Sequence, residues 1–416
     1  MNSDTQKLNI KALAFGSLAS AFEWYDYALF GYFAAIIGQQ YFPSDEPLTS
    51  LLSSFAVFAT GFAMRPLGAI WFGFIGDRLG RKRALTLSLF LMAIPTTALG
   101  LLPTYESIGI FASMSLVLIR LLQGLAVGGN YGGSFIFTIE NAPASQKGFA
   151  GSLAMFGTLG GLFLGVGAAT LMEALLGPEN LRLFGWRIPF LIGCLSPLMV
   201  YLIRNRVPET QLTDSHSQQR IPIKEVLQHH KANVFRAIGV ILLEAVGIYV
   251  VFVFMTTYAT HFLKLPESKV LLINTICMAS LVIFIPFFGW LGDKISQKKL
   301  LQAACLCYLF LSIPLYAWLI YSPSLVTLIF LQGIFSVIVG AIYGGLPAMI
   351  VSAFPKEIRY TACGLAFNIS VAVFGGTSPF VVTGLIQLTD WLLIPGLLMT
   401  IVGAISLLSI RRLKQL

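Results

Sequence analysis

An apolar run of about 20 residues crosses a hydrocarbon layer as a helix. This chain holds twelve such runs in succession, over 12–37, 49–75, 84–102, 108–139, 147–176, 186–204, 233–262, 269–292, 300–320, 324–353, 360–388 and 391–410. No water-soluble core accommodates that pattern, because each run would need a polar face and few polar residues are present. Only 11% of the 416 residues are charged, against 56% hydrophobic, where a soluble domain carries roughly 25% charge. The sequence therefore specifies an all-α polytopic membrane protein. The same figures exclude a disordered chain, and five Cys in 416 residues are too few for a disulfide scaffold.

The net charge of +9 is explained by topology. An even number of spans puts both termini on one side. With the N-terminus in the cytoplasm, 21 of the 27 Lys and Arg fall on that side and four on the other, with Arg65 and Arg120 inside spans. Cytoplasmic loops collect basic residues, so both ends are expected in the cytoplasm of a plasma membrane, the inner membrane in a bacterium. The basic balance then needs no nucleic-acid partner. The first run is long, carries Glu23 and Asp26, and lacks a small-residue cleavage site, so it reads as a retained helix. Cys194, Cys277, Cys305, Cys307 and Cys363 lie in apolar spans without metal-ligand spacing. They read as small hydrophobes, and no metal or cofactor is expected.

The longest polar stretch lies between spans six and seven. It divides the chain into a six-helix bundle over 1–204, a linker over 205–231 and a second bundle over 232–416. The two parts repeat one another. Gly73-Phe-Ile-Gly76-Asp77-Arg78 recurs as Gly289-Trp-Leu-Gly-Asp293-Lys294, and Tyr131-Gly-Gly recurs as Tyr343-Gly-Gly. Lys147 followed by Gly160-Gly161 parallels Arg359 followed by Gly375-Gly376, and Glu23 parallels Glu244. Four matches in the same order indicate a duplication, and repeated bundles around a central site are a transporter architecture.

Ionisable groups inside a bilayer are costly and mark function by default. Here they are Glu23, Asp26, Arg65, Arg120 and Glu244, with Glu140 and Glu173 near span ends. Glu23 and Asp26 are three residues apart and share a helical face. Counted from Lys11 they lie about 18 and 22 Å deep, and Glu244 about 18 Å deep from its own edge. A carboxyl at that depth can take up and release a proton as access alternates. The competing assignment is a carboxylate that ties helices together through an Arg or Ser. Arg120, Gln123, Asn130 and Ser134 fall broadly on one face of span four, and Arg120 is the expected counter-charge for the acids or for an anionic substrate. Tyr27, four residues from Glu23, is expected to line a cavity with Gln123 and Asn130. Tyr343, Phe367 and Asn368 are the second-half candidates.

The segment Gly73-x-x-Gly76-Asp77-Arg78-x-Gly80-Arg81 ends span two with a tight turn and mixed charge. It serves either as a charged anchor or as a cytoplasmic latch, with Asp77–Arg359 and Arg81–Glu140 as the pairs and Asp293 as its second-half equivalent.

These motifs carry a resemblance. The segment from Gly73 to Arg83 and Arg120-x-x-Gln123-Gly124 resemble the signatures of the major facilitator superfamily. Glu23-Trp-Tyr-Asp26-Tyr, Phe354-Pro355-x-x-x-Arg359-Tyr360 and Phe374-Gly375-Gly376-Thr377-x-Pro379 resemble its metabolite:proton symporter family. Members of that family carry proline and glycine betaine, α-ketoglutarate, citrate, shikimate or dicarboxylates. The resemblance implies two six-helix bundles and uptake of a small polar metabolite by alternating access, driven by a proton or sodium gradient, in a protein for which a monomer suffices. It implies no enzymatic activity.

The chain departs from the family pattern in three places. Asn130 stands where the family usually has Glu, which removes one titratable group. Ser296-Gln297 replaces the usual Gly-Arg, so a weaker second latch is expected. The sequence ends at Leu416 without the long coiled coil of the osmosensing members, which argues against self-contained osmosensing. The readings that compete with symport are an exporter or uncoupled facilitator of the same fold, a membrane sensor that binds a metabolite without moving it, and an integral-membrane enzyme.

Overall fold

The computed structural model describes residues 9–45, 47–193 and 222–413. Every regular element among them is helical. In the first part these are α1 (Ile10–Tyr32), α2 (Ala34–Tyr41), α3 (Pro47–Arg78), α4 (Arg81–Leu101), α5 (Tyr105–Ile108), α6 (Ile110–Glu140), α7 (Lys147–Asn180) and α8 (Arg187–Ile192). Then follow α9 (Pro222–Phe262), α10 (Glu267–Ile295), α11 (Gln297–Tyr321), α12 (Leu325–Val351), α13 (Arg359–Thr389) and α14 (Ile394–Arg412). Nine helical segments among the described residues are long and apolar enough to cross a membrane.

The expected spans differ from these helices in instructive ways. The run 12–37 is two helices, broken at Phe33, whose φ and ψ of −89° and 9° leave the helical region. Nothing in its composition marks the break. Span six begins as α8, and its continuation from 194 lies outside the described residues, as does 205–221 of the expected linker. From Pro222 the chain is already helical, because Pro suits a first helical turn, where its missing N–H costs nothing. The polar residues that suggested a linker there continue as α9. α7 carries a break at Gly177, whose φ of 72° and ψ of 168° suit glycine and precede Pro178.

The residues group into two compact units. One is built on Asn9–Asn141 and Gly157–Lys224, the other on Ala142–Phe156 and Glu225–Leu416. The first turns of α7 therefore group with the second unit, while the rest of that helix groups with the first. In the first unit, glycines set the helix spacing. A Cβ on Gly124 or Gly128 of α6 would strike the carbonyls of Gly61 or Arg65 on α3, and one on Gly157, Gly161 or Gly165 of α7 would strike α1 at Ser17, Ala21 or Tyr25. Without a hydrophobic drive between helices in lipid, such close backbone approach supplies the packing energy. It draws α1, α3, α6 and α7 tightly around a polar interior.

Candidate functional site

Three arginines, Arg65, Arg81 and Arg120, are among the largest fully buried side chains of the chain. A buried guanidinium demands acceptors, so each locates a polar centre.

Arg120 lies on α6 and meets α1. Its Nη1 donates to Asp26 Oδ2 at 3.2 Å and to Gln123 Oε1 at 2.6 Å. Gln123, one turn further along α6, donates through Nε2 to both oxygens of Asp26 at 3.0 Å and to Thr96 Oγ1 of α4 at 2.9 Å. The Arg120 guanidinium also sits 3.5 Å from the Phe30 ring centroid and 5.7 Å from that of Tyr27, an arrangement that stabilises a desolvated cation. One ion pair thus has an amide and a hydroxyl completing it and two aromatic rings covering it. Asp26 also borders a small cavity of about 10 Å³, lined in part by Tyr25, Met92 and Thr96.

A second centre lies three residues back on α1. Asn130 Nδ2 donates to Glu23 Oε2 at 2.8 Å and to the Ala19 carbonyl at 2.9 Å. The charge of Arg65 on α3 also acts on Glu23. Arg65 is held over the rings of Phe62 and Tyr131, at 5.3 and 5.5 Å. Trp24 adds an aromatic wall, 6.0 Å from Tyr27 and 5.8 Å from Tyr131. Ser20 and Ser134 close the cluster with a hydroxyl pair at 2.7 Å. Within this unit the candidates Glu23, Asp26, Tyr27, Arg120, Gln123 and Asn130 therefore form one polar seam between α1 and α6. Gln123 and Asn130 serve in it as hydrogen-bond partners of the two carboxyls.

Arg81 occupies a third centre. It opens α4 directly after Gly80, whose φ of 110° turns the chain. Its Nη1 donates to Asp77 Oδ1 at 2.9 Å and to the Gly76 carbonyl, and its Nε donates to Glu140 Oε2 at 3.3 Å. One guanidinium thereby joins the ends of α3, α4 and α6. The expected Arg81–Glu140 pair is present, and it lies wholly within the first unit. Gly73 belongs to the same end of α3, and Arg78 stacks on Phe74 at 4.7 Å.

In the second unit, Glu244 of α9 is 1% exposed and hydrogen-bonds the Tyr343 hydroxyl of α12. Phe367 and Asn368 on α13 are fully buried, and Asn368 donates back to the Gly364 carbonyl at 2.7 Å. Arg359 opens α13 and donates to the Phe354 carbonyl at 3.1 Å. Asp293, near the end of α10, accepts backbone N–H groups from Gly148 and Phe149 at 2.7 and 2.8 Å, with Gln297 donating to it at 3.2 Å. It caps the first turn of α7.

Sequence reasoning left out Thr96 and Trp24. Thr96 has no distinguishing signal, since a Thr in an apolar span usually satisfies itself on its own helix, and its hydroxyl does contact the Met92 carbonyl at 2.9 Å. Trp24 was detectable, because it separates Glu23 from the rest of an aromatic-acid motif.

Long apolar helices packed around buried, hydrogen-bonded charges define a multi-pass membrane protein with a polar interior. The Major Facilitator Superfamily model matches residues 14–379, and the chain belongs to that superfamily. Two relatives show how far the likeness extends. The chain is 31% identical over 413 residues to the "Glycine betaine/proline/ectoine/pipecolic acid transporter OusA" of Dickeya dadantii, covering 96% of this chain and 82% of that protein. It is 30% identical over 423 residues to the "Proline/betaine transporter" of Escherichia coli, covering 97% and 83%. Among solved structures it is similar in fold to the proton:xylose symporter XylE bound to 6-bromo-6-deoxy-D-glucose, with TM-score 0.78, 16% identity and coverage of 98% and 96%. The Escherichia coli fucose:proton symporter FucP has TM-score 0.70, 15% identity and 98% coverage of both chains. The fold is the all-α major facilitator fold, and the protein is a transporter and no enzyme.

Proposed function

We propose that the protein takes up a small zwitterionic metabolite of the proline or betaine kind, coupled to a proton, by alternating access. The observation that carries this reading is the ion pair of Asp26 and Arg120, 3.2 Å apart and almost wholly excluded from solvent. A carboxyl in such a place has two stable arrangements. Ionised, it holds the guanidinium. Protonated, it releases it. Arg120 is then free to turn to a substrate carboxylate, which it suits as a planar donor. Protonation and substrate binding thereby become linked, which is what symport requires. Glu244 with Tyr343 offers a second carboxyl for the same task. The proline and betaine transporters to which the chain is similar support this substrate class, and a pair of opposite buried charges suits a zwitterion.

In this reading the chain is two six-helix halves over 1–204 and 232–416, joined by the segment 205–231. Both termini are cytoplasmic, as the 21:4 split of basic residues supports, and a monomer is the working unit. Asp77, Arg81 and Glu140 in the first unit, and Asp293 and Arg359 in the second, are the gating residues of their own halves.

The test is uptake of labelled proline and glycine betaine by proteoliposomes holding the purified protein, with and without an imposed pH gradient. Uptake that rises with an inward proton gradient supports symport. Uptake indifferent to the gradient overturns it in favour of an uncoupled facilitator, and a matching response to a sodium gradient would replace the proton by sodium.

A further inference from the structure

The centre at Glu23 has a polar inventory that does not close on itself. Asn130 spends its amide nitrogen on two oxygens, the Ala19 carbonyl and Glu23 Oε2. The Ala19 carbonyl can only accept, so the orientation of the amide is fixed and Oδ1 is left as its remaining acceptor. Asn130 Oδ1 and Glu23 Oε1 are both buried and have no hydrogen-bond partner among the described residues. The two side chains are 3% and 1% exposed. Two buried acceptors without a donor, on side chains that are hydrogen-bonded to each other, are expensive. Beside them is the converse, since Trp24 Nε1 is a buried donor with no acceptor among the described residues. Trp24 follows Glu23 on α1, and its ring touches that of Tyr131, which follows Asn130 on α6. Arg65 stacks over the same Tyr131 ring.

We infer that Glu23 Oε1 and Asn130 Oδ1 form the receptor for the ammonium group of the substrate and require it to carry N–H donors, with Trp24 Nε1 and the Arg120 released from Asp26 receiving its carboxylate. This rests on the zwitterion reading above and sharpens it. Two acceptors select a secondary ammonium with two N–H groups, as in a cyclic imino acid, over a fully N-methylated ammonium, which has none to give. Aromatic walls alone would not discriminate, because the faces of Trp24, Tyr27 and Tyr131 attract either cation. Glu23 thereby serves binding, and proton exchange falls to Asp26.

The inference is tested with a graded series, L-proline, N-methyl-L-proline and N,N-dimethyl-L-proline, which offer two, one and no N–H groups on one skeleton. Each is measured on the full chain in proteoliposomes, by inhibition of labelled proline uptake and by quenching of tryptophan fluorescence. Apparent affinity should fall by about ten- to a hundredfold from the first to the last, the usual worth of hydrogen bonds to a charged group. In Asn130→Leu the ratio between the ends of the series should shrink towards one, and in Asn130→Ser, which is smaller and keeps an oxygen, it should shrink less. Equal affinity for all three in the wild type overturns the inference and assigns the two oxygens to a proton or a water. Because that result needs no variant, misfolding of a mutant cannot obscure it. Absence of binding for all three overturns the zwitterion reading itself, which separates the two failures.

Discussion

Arg120 Nη1 and Asp26 Oδ2 lie 3.2 Å apart, and Gln123 donates to both oxygens of the same carboxyl. The pair joins α6 to α1 across 94 residues of sequence. Its hydrogen bonds fix the carboxyl's orientation, so the energetic question is which charge state each conformation favours. Asp26→Asn removes the exchangeable proton while keeping the shape and one acceptor. We predict that it abolishes accumulation driven by a pH gradient and preserves exchange of labelled for unlabelled substrate across the membrane. Gradient-driven accumulation in Asp26→Asn would move the proton site to Glu244 or Glu23.

Arg120→Lys tests the geometry of the same pair. A lysine keeps the charge but is shorter than the arginine whose Nη1 donates to both Asp26 and Gln123, and it lacks the flat guanidinium face against Phe30. Uptake should fall at least tenfold, a loss of about 1.4 kcal/mol or more, within the usual range for hydrogen bonds to charged groups. Near-normal initial rates would show that only the positive charge is needed.

Much of this seam is legible in the sequence, because bilayer chemistry makes every buried charge conspicuous. Glu23, Asp26, Arg65 and Arg120 are marked by their type alone, and helical spacing puts Gln123 and Asn130 on the face of Arg120. What sequence cannot supply is pairing. Nothing in the spacing says that Asn130 takes Glu23 while Gln123 takes Asp26, since that depends on the axial offset of α1 against α6. The offset is set by glycine contacts such as Gly16 against Ser134 and Thr138. Nor does spacing reveal that Arg81 serves Asp77 and Glu140 together, or that Asp293 addresses backbone N–H groups. A search for opposite charges does not find a carboxylate whose partner is the start of a helix. The break at Phe33 is invisible for a related reason, in that it involves neither Pro nor Gly.

The glycine contacts themselves predict a selective sensitivity. A Cβ on Gly124 would collide with the backbone of Gly61, which cannot move aside as a side chain can, whereas one on Gly160 meets nothing within 4 Å. Gly124→Ala should destabilise by about 1–3 kcal/mol, the cost of overpacking, and lower the unfolding temperature of the detergent-purified protein. Gly160→Ala should leave that temperature unchanged or slightly raised. Equal behaviour of the two variants would refute the close packing of α3 on α6.

Arg81 predicts a cost of a different kind. It sits between two carboxylates, with side-chain exposures of 1% for Arg81, 0% for Asp77 and 6% for Glu140. Arg81→Ala leaves both acids buried without their common cation, which should cost about 3–5 kcal/mol. Glu140→Gln, which keeps an acceptor for Arg81 Nε, should cost much less. The measurement is the unfolding temperature of each variant, with uptake in parallel. If Arg81→Ala were as stable as Glu140→Gln, the centre would be an anchor of surface charges and would not hold the helix ends together.

The two turns that link α3 to α4 and α10 to α11 give a last contrast. Both take a positive φ, 110° at Gly80 and 96° at Ser296. Glycine bears that geometry without penalty, and serine does not. Beside Ser296, Asp293 caps α7 through Gly148 and Phe149 and accepts a further hydrogen bond from Gln297. Ser296→Gly should therefore relieve about 1–2 kcal/mol and raise the unfolding temperature, with the cap intact. Asp293→Ala should do the opposite, because it leaves two backbone N–H groups at the start of α7 without their acceptor. In Asp293→Ala, hydrogen exchange at Gly148 and Phe149 should accelerate while exchange in the middle of α6 stays slow. Unchanged protection at those two amides would show that the first turn of α7 is held by other contacts.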